Sequence, residues 1–295
     1  MDNTTILNYL SHCQVYKRLS PHTIRAYKND LKQFLNSGYE NVKDYINLLN
    51  ANSYKTSTLK RKIACLKAFY KYLSEEEYIE VNPFIQLRFQ FQKEKSLPKI
   101  IPVYILKDVH AHLQNSLSKA KTPYQREKRQ RNFLMVSLLL STGIRVSELC
   151  HIELSQIDLN NRTIHILGKG KKERIIYLGD ESTYLLLNDY IAQYCSNLEG
   201  YLFRGKGGDK ALAEQSVRLV LNKVSQQLNL NSSLTPHMFR HSFATMLLDR
   251  DVDIRYIQHI LGHSSITVTQ IYTHVSQQKQ REILSINNPL TSIIN

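Results

Sequence analysis

The sequence has few cysteines, no long apolar run and no secretory signal. Cys65 and Cys150 have apolar neighbours at helical spacing, so we expect buried thiols and a reducing cytoplasm. No apolar segment is long enough to span a bilayer. The start, MDNTTILNYLSH, lacks a basic segment followed by an apolar one, so we expect neither membrane insertion nor export. The four cysteines, which form no C-x-x-C pair, are Cys13, Cys65, Cys150 and Cys195.

Motifs for nucleotide and zinc binding are also missing. The sequence contains no G-x-x-x-x-G-K-[ST] phosphate loop, which argues against a nucleotide cofactor. Two histidine pairs have the i, i+4 spacing of zinc ligands, namely His237 with His241 and His259 with His263. Neither pair reads H-E-x-x-H, and no glutamate or cysteine completes a familiar ligand set, so we expect no metal. His241 and His259 are better explained as packing or surface residues.

Positive charge is in clear excess. The 295 residues include 39 Lys and Arg against 25 Asp and Glu, a formal net charge of +14. A basic chain of this size is typical of a protein that binds a polyanion such as nucleic acid, although an ordinary basic protein stays an alternative. The hydrophobic content of 42% is enough for the cores of two domains.

The chain divides into segments of different character. Residues 1–92 read as short helices, and residues 93–102 belong to a charged, proline-containing stretch that we interpret as a linker. Residues 103–284 are predicted to form a larger, mostly helical domain with a small sheet. The apolar tail, residues 285–295, is either a frayed terminus or a segment that docks on a neighbouring protomer.

Local signals predict several elements of these domains. Ser20 and Pro21 have the pattern of a helix cap and first turn, and Gly143 is expected to end an apolar helix over residues 132–143. The basic run Lys119–Arg131 is either a solvated loop or a DNA-facing arm. Two β-type runs, Thr163–Leu167 and Glu173–Leu178, flank a basic tip and predict a hairpin.

A helix start near the C-terminal part of the sequence places a histidine beside an arginine. Thr235 and Pro236 have the pattern of a cap and first helical position, and His237 and Arg240 then share one face. A helix N-terminus favours an anion, and Arg240 adds a planar fork that matches phosphate oxygens. The same positive helix end should keep His237 neutral and able to accept a proton.

The next predicted helix, from about Asp253 to Leu261, ends at Gly262. Ile254, Ile257, Ile260 and Leu261 are expected to face inward, and His263 is expected on a turn where it can reach a ligand. Tyr272 follows His263 by nine residues in what we interpret as another short helix. A single tyrosine among 18 is most often structural, so Tyr272 gains weight only from its neighbours.

One arginine is too little cation for phosphoryl transfer. Arg145 follows the Gly143 helix stop, and Glu148 is close enough to hold its guanidinium in place. Lys169 lies at the tip of the predicted hairpin. Taken singly, Arg145–Glu148 is an ordinary helix ion pair and Lys169 an ordinary solvent lysine.

Together, four motifs resemble the tyrosine recombinase family, in the style of Xer recombinases and small mobile-element integrases. They are T-G-I-R-V-S-E-L, G-K-G-K-K-E-R, H-M-F-R-H-S-F-A-T and L-G-H-S-S-I-T-V-T-Q-I-Y-T-H-V, and they occur in that order. The segment S-P-H-T-I-R-A-Y-K-N-D-L-K-Q-F-L resembles the family's core-binding domain. The resemblance implies a mainly α fold with a small β-sheet, in which a helical core-binding domain and a catalytic domain clamp DNA.

The resemblance also implies a mechanism. Tyr272 would attack a scissile phosphate and form a 3′-phosphotyrosine, while Arg145 and Arg240 stabilise the transition state. Lys169 would protonate the leaving 5′-oxygen, His237 would assist proton removal, His263 would bind the phosphate, and Glu148 would support Arg145. Neither a nucleotide cofactor nor a metal is required.

The implied partner is double-stranded DNA with specific recombination sites, bound by a homo-tetramer on two sites or together with a different partner recombinase. Chromosome-dimer resolution and mobile-element integration or excision both fit. Two alternatives stay open: a type IB topoisomerase-like enzyme and a non-catalytic DNA-binding protein of the same fold. Candidate DNA contacts are Arg25, Lys28, Lys60, Arg61, Lys67, Lys71, Lys171 and Lys172.

Overall fold

The computed structural model describes residues 2–39, 41–52, 54–91, 98–167, 173–195, 199–205 and 207–262. The chain divides into two compact units, Met1–Ser96 and Leu97–Asn295. The described residues are mainly helical and include one three-stranded sheet. The predicted fold class is therefore confirmed.

Four α-helices form the first unit within the described residues. The Ser20 hydroxyl accepts a hydrogen bond from the Thr23 amide at 3.2 Å, so this helix is capped as predicted. Aromatic rings fill much of the core, where Tyr9 and Phe69 are fully buried with ring centroids 5.0 Å apart. The helices are α1 (Asn3–Val15), α2 (Pro21–Asn36), α3 (Val42–Ala51) and α4 (Thr56–Glu75), followed by a 3-10 turn over Pro83–Ile85.

The second unit is built around one long helix, α6 (Pro123–Thr142), which packs against α5, α8 and α10. Leu134, Met135 and Leu139 of α6 are fully buried in its core. The other helices are α5 (Val103–Ser118), α7 (Val146–Cys150), α8 (Glu181–Tyr194), α9 (Glu214–Gln227), α10 (Pro236–Leu248) and α11 (Ile254–Leu261).

Helix α6 begins nine residues earlier than predicted, so the predicted start at residue 132 is wrong. The Thr122 hydroxyl accepts a hydrogen bond from the Gln125 amide at 3.2 Å, and Pro123 takes the first helical position. The basic run from Lys119 to Arg131 is thus largely the first turns of α6 rather than a loop. Its residues lack an apolar stripe because this part of the helix is mostly exposed, which hid the helical period.

The small sheet is antiparallel in the order β1-β2-β3, with β1 at Ile157–Asp158, β2 at Thr163–Leu167 and β3 at Glu173–Tyr177. The last two strands confirm the predicted β-runs, and Ile164 of β2 pairs with Ile176 of β3. Both isoleucines are buried, which fixes the face of the sheet that meets the core. Strand β1 was not predicted, because two residues give no readable alternation. The hairpin tip with Lys169 lies outside the described residues.

The residues just before the predicted linker and those at its end pack against different cores. Phe89 and Phe91 pack against the core of the first unit, whereas Ile101 is buried in that of the second. The Ile101 amide also donates to the Ser242 hydroxyl at 2.7 Å, which ties the chain to α10 just before α5 begins. Among the described helices, none combines the length and apolarity needed to cross a bilayer.

Candidate active site

The turn between α6 and α7 strongly favours glycine. Gly143 has a φ of +61°, and a β-carbon there would lie 2.5 Å from the Phe243 ring and 2.8 Å from the Leu261 side chain. The Thr142 hydroxyl accepts the Ile144 amide at 3.2 Å and so stabilises the turn. This geometry ends α6 as predicted and delivers Arg145 directly to the N-cap of α7.

Helix α10 presents the second arginine from a buried position. The Thr235 hydroxyl caps the helix by accepting the Met238 amide, with Pro236 in the first turn, as predicted. The Arg240 side chain then points into the protein, where the residue is 4% exposed. Its guanidinium donates to the carbonyl oxygens of Gly143 at 2.7 Å and Leu261 at 2.6 Å. Arg240 is therefore fixed by the two turns that surround it.

The end of α11 brings the two predicted arginines together. Gly262 ends this helix with a φ of +63°, and its carbonyl oxygen accepts a hydrogen bond from Arg145 Nη2 at 2.9 Å. Arg145 and Arg240 thus bind consecutive carbonyls, those of Gly262 and Leu261. A helix C-terminus carries partial negative charge, which favours two guanidinium groups at this point. His263 follows immediately in the sequence, but its placement lies outside the described residues.

Glu148 holds Arg145 in place and is itself held by a residue that the sequence analysis missed. Its carboxylate accepts Arg145 Nη1 at 2.8 Å and the Arg145 amide at 3.0 Å. Arg174 of β3 donates to the same carboxylate through both terminal nitrogens, each at 2.7 Å. Arg174 is the last residue of the G-K-G-K-K-E-R motif, but only the tertiary pairing of β3 beside α7 reveals its partner.

The protonation of Glu148 follows from these contacts. Burial alone would raise the pKa of its carboxyl, but the hydrogen bonds and charge of Arg174, together with the hydrogen bonds of Arg145, outweigh burial and lower the pKa. Glu148 is consequently an anion at neutral pH. An anion between two guanidinium groups fixes both of them without cancelling their combined positive charge.

His237 has a pKa below its usual range. Partial desolvation by the surrounding protein is the main cause, and the positive charges of Arg240, Arg218 and Arg145 act in the same direction. The direction agrees with the predicted neutral histidine, although burial and arginine charge replace the helix dipole as its explanation. His241, whose ring lies 6.4 Å from that of His237, also has a lowered pKa through burial.

Only part of the predicted site belongs to the residues that the structure describes. Lys169, His263 and Tyr272 lie outside them, as do Lys171 and Lys172. What the structure does bring together is Arg145, Glu148, Arg240 and, within reach of their charge, His237. The two arginines, held by Glu148 and by the backbone carbonyls, form a fixed, positively charged patch that can bind an anion such as a phosphate.

One predicted orientation on α11 is wrong. Ile257 and Leu261 are buried as expected, but Ile260 is 39% exposed and does not face the core. The helix is short, and its inward stripe needs only the residues at i and i+4. An apolar residue next to that stripe in the sequence is therefore not evidence of burial.

Predicted DNA-contacting cations lie on the surface of the first unit. Arg25 and Lys28 are exposed on α2, and Lys60, Lys67 and Lys71 are exposed on α4. Arg61 differs, because it forms an ion pair with the buried Asp30 that also binds Lys62 at 3.2 Å. Part of the positive charge of Arg61 is therefore balanced by Asp30 within the protein.

Two family models match the chain. The phage integrase family model matches residues 110–279, and the model of the phage integrase N-terminal SAM-like domain matches residues 6–77. The chain therefore belongs to the phage integrase family.

Individual relatives show which members of the phage integrase family the chain resembles. The chain is 42% identical to a tyrosine recombinase of Agathobacter rectalis, over 97% of this chain and 96% of the relative. It is 33% identical to the tyrosine recombinase XerC of Thermodesulfovibrio yellowstonii, over 99% of each chain. The predicted resemblance to Xer-type tyrosine recombinases is thus confirmed.

Solved structures share the fold. The XerA recombinase matches with a TM-score of 0.53 and 27% identity, over 97% of this chain and 99% of that one. A Tn1549 transposon integrase in complex with transposon right end DNA matches with a TM-score of 0.70 and 20% identity, over 95% of this chain and 99% of that one. At this identity the second likeness concerns the fold alone.

Proposed function

We propose that this site-specific tyrosine recombinase cuts and rejoins double-stranded DNA through a covalent bond to Tyr272. The observation that carries the proposal is the fixed arginine pair. Arg145 and Arg240 are bound to the consecutive carbonyls of Gly262 and Leu261 at the end of α11, ten and eleven residues before Tyr272 in the sequence. Cations fixed before the reaction stabilise a developing phosphorane charge without the cost of reorganising at the moment of reaction.

In the proposed cleavage step, Tyr272 Oη forms a bond to the scissile phosphorus as the bond from phosphorus to the 5′-oxygen breaks. The tyrosine proton passes to His237, whose lowered pKa leaves it neutral at physiological pH. Lys169 donates a proton to the departing 5′-oxygen, a role typically worth about 10²–10⁴-fold in rate. His263 hydrogen-bonds the phosphate, and Glu148 holds Arg145.

The products are a 3′-phosphotyrosine and a free 5′-hydroxyl. Because the phosphotyrosine retains the energy of the phosphodiester, a 5′-hydroxyl from another duplex can reverse the step and complete strand exchange. The balance of atoms and protons requires neither a nucleotide nor a metal ion.

DNA affinity is proposed to come from both domains. The first domain, residues 1–92, offers exposed cations on α2 and α4, which suit the phosphate backbone of a duplex. The catalytic domain, residues 103–284, supplies the arginine patch. We further propose four protomers on two DNA sites, with residues 285–295 docking on a neighbouring protomer, and action in the cytoplasm.

A covalent-adduct assay tests the proposal. Duplexes that the protein retains from fragmented DNA of its source genome supply the recombination site, and a nick next to that site traps the cleaved strand. Wild-type protein should form an adduct that resists SDS, and Tyr272→Phe should form none while binding the same duplex. Failure of the wild type to form an adduct on its bound sites would favour a non-catalytic DNA-binding protein.

A plasmid-relaxation assay distinguishes the recombinase from a topoisomerase. A type IB topoisomerase-like enzyme would relax supercoiled plasmids that lack the selected site, whereas the proposed recombinase should act only on plasmids that carry it. Relaxation of both plasmids at equal rates would contradict the proposal.

A further inference from the structure

We propose that Arg174 is a positioning residue for strand cleavage, which sets the orientation of Arg145 through Glu148 and the Gly262 turn. The inference rests on the proposed function, because it assigns Arg145 to the scissile phosphate. Arg174 is not expected to touch the DNA, since its side chain is only 9% exposed.

The first support is the geometry of the Glu148 carboxylate. Oε1 accepts one bond from Arg145 Nη1 and one from Arg174 Nη1, while Oε2 accepts one from the Arg145 amide and one from Arg174 Nη2. Each oxygen is thus shared between the two arginines. The fork of Arg174 fixes the plane of the carboxylate, and this plane fixes where Arg145 can form its own bond.

The second support is the contact between Arg174 and the end of α11. A β-carbon on Gly262 would lie 3.0 Å from both Cδ and Nη1 of Arg174, so the arginine lies directly against this turn. The Gly262 carbonyl is the other acceptor of the Arg145 guanidinium, at 2.9 Å. Arg174 therefore binds the carboxylate that holds Arg145 and lies beside the glycine whose carbonyl also holds it.

The third support is the contrast in exposure between the three linked side chains. Glu148 and Arg174 have side chains 7% and 9% exposed, whereas the Arg145 side chain is 34% exposed. A buried, bidentate pair therefore supports an arginine that is open to a ligand. Lysine cannot reproduce the fork, because its ammonium is a point charge on a flexible stem.

The test is the substitution Arg174→Lys, which retains the charge and removes the fork. Arg162→Lys is the matched control, because Arg162 also pairs with a glutamate, Glu181, but both side chains are largely exposed. We expect Arg174→Lys to bind the site with unchanged affinity and to cleave about 10²-fold more slowly in a single turnover, as displacement of a catalytic group by about 1 Å does. Arg162→Lys should cleave at the wild-type rate.

Two modified substrates distinguish positioning of Arg145 from other roles. A methylphosphonate at the scissile position replaces one charged oxygen by a methyl group, so its cleavage needs less stabilisation by positive charge. The rate difference between Arg174→Lys and the wild type should therefore be smaller on this substrate. A sulfur in place of the 5′-bridging oxygen makes a leaving group that needs no general acid. The rate deficit should persist on this substrate.

Glu148→Gln provides a second variant at the other end of the ion pair, for use if Arg174→Lys is too unstable to assay. It should show the same dependence on the two substrates. Cleavage at the wild-type rate by a folded variant would overturn the inference. Rescue by the sulfur substrate would also overturn it, because it would mean that Arg174 acts through the general acid Lys169 rather than through Arg145. If wild-type protein itself forms no adduct, the proposed function fails instead.

Discussion

The exposed cations of the first unit and the arginines of the second carry the same charge but are held very differently. Lys60, Lys67 and Lys71 lie on the open surface of α4, where an ion pair such as Lys71–Glu75 at 3.4 Å contributes little. Arg145 and Arg240 are bound to backbone carbonyls at defined distances. We expect the exposed charge to supply salt-dependent affinity and the fixed charge to stabilise one transition state.

The largest effect should come from removing a fixed cation. Arg145→Ala should lower single-turnover cleavage by about 10²–10³-fold, the usual cost of losing one transition-state donor. Affinity for the site should change by much less, because the bulk of the surface charge remains. The measurement is adduct formation on a nicked duplex at saturating protein. A loss of affinity as large as the loss of rate would remove the distinction between the two kinds of cation.

The turn that places Arg145 should be almost as sensitive. Gly143→Ala adds the left-handed backbone cost of about 1–2 kcal/mol to an overpacking cost of about 1–3 kcal/mol. Gly200→Ala is the control, because Gly200 has a φ of +78° but no atom within 4 Å of its β-carbon position. Gly200→Ala should lower the free energy of unfolding only by the cost of the left-handed backbone. Denaturant unfolding of both variants measures the difference, and equal losses of stability would contradict the packing of Phe243 and Leu261 against the turn.

The surface lysines should act on binding alone. Replacing Lys60, Lys67 and Lys71 together by alanine should weaken binding and reduce the slope of log K against log salt by up to about 3, or roughly 0.9 for each phosphate that the protein no longer neutralises. The cleavage rate at saturation should not change. Arg61→Ala should affect the slope less, because Arg61 pairs with Asp30. An unchanged salt slope in the triple variant would argue that α4 does not face DNA.

The smallest effect concerns pH. Because the pKa of His237 lies below 6.5, the neutral ring should persist to mildly acidic pH, and cleavage should fall only below that point. His237→Gln should remove this acidic limb. The free energy of unfolding should also decrease as the pH falls. Because His237 has a lower pKa in the folded protein, the unfolded chain takes up the proton first, and stability is lost as pH falls below about 6.5. A rate that already falls between pH 8 and pH 7 in the wild type but not in His237→Gln would contradict a neutral His237 in that range.

The sequence could predict what depends on local chemistry. Capping rules predict the helix start at Thr235 and Pro236 and the helix ends at Gly143 and Gly262. The same rules place His237, Arg240 and Arg145 near helix ends. The role of Arg174 could not be read in this way, because it depends on β3 lying beside α7, 26 residues away in the sequence. The exposure of Ile260 and the early start of α6 were missed for a related reason. Burial is a property of the packed fold, and a local pattern shows it only where apolar and polar residues alternate regularly.

In the proposed reaction, one particular tyrosine among 18 becomes bonded to the DNA phosphate that the arginine pair binds. Mass spectrometry of the trapped adduct, after digestion of protein and DNA, identifies the modified residue directly. We expect a nucleotide on Tyr272 in the wild type and in Arg162→Lys, with a much smaller yield in Arg145→Ala. A nucleotide on any other tyrosine, with Tyr272 unmodified, would contradict it.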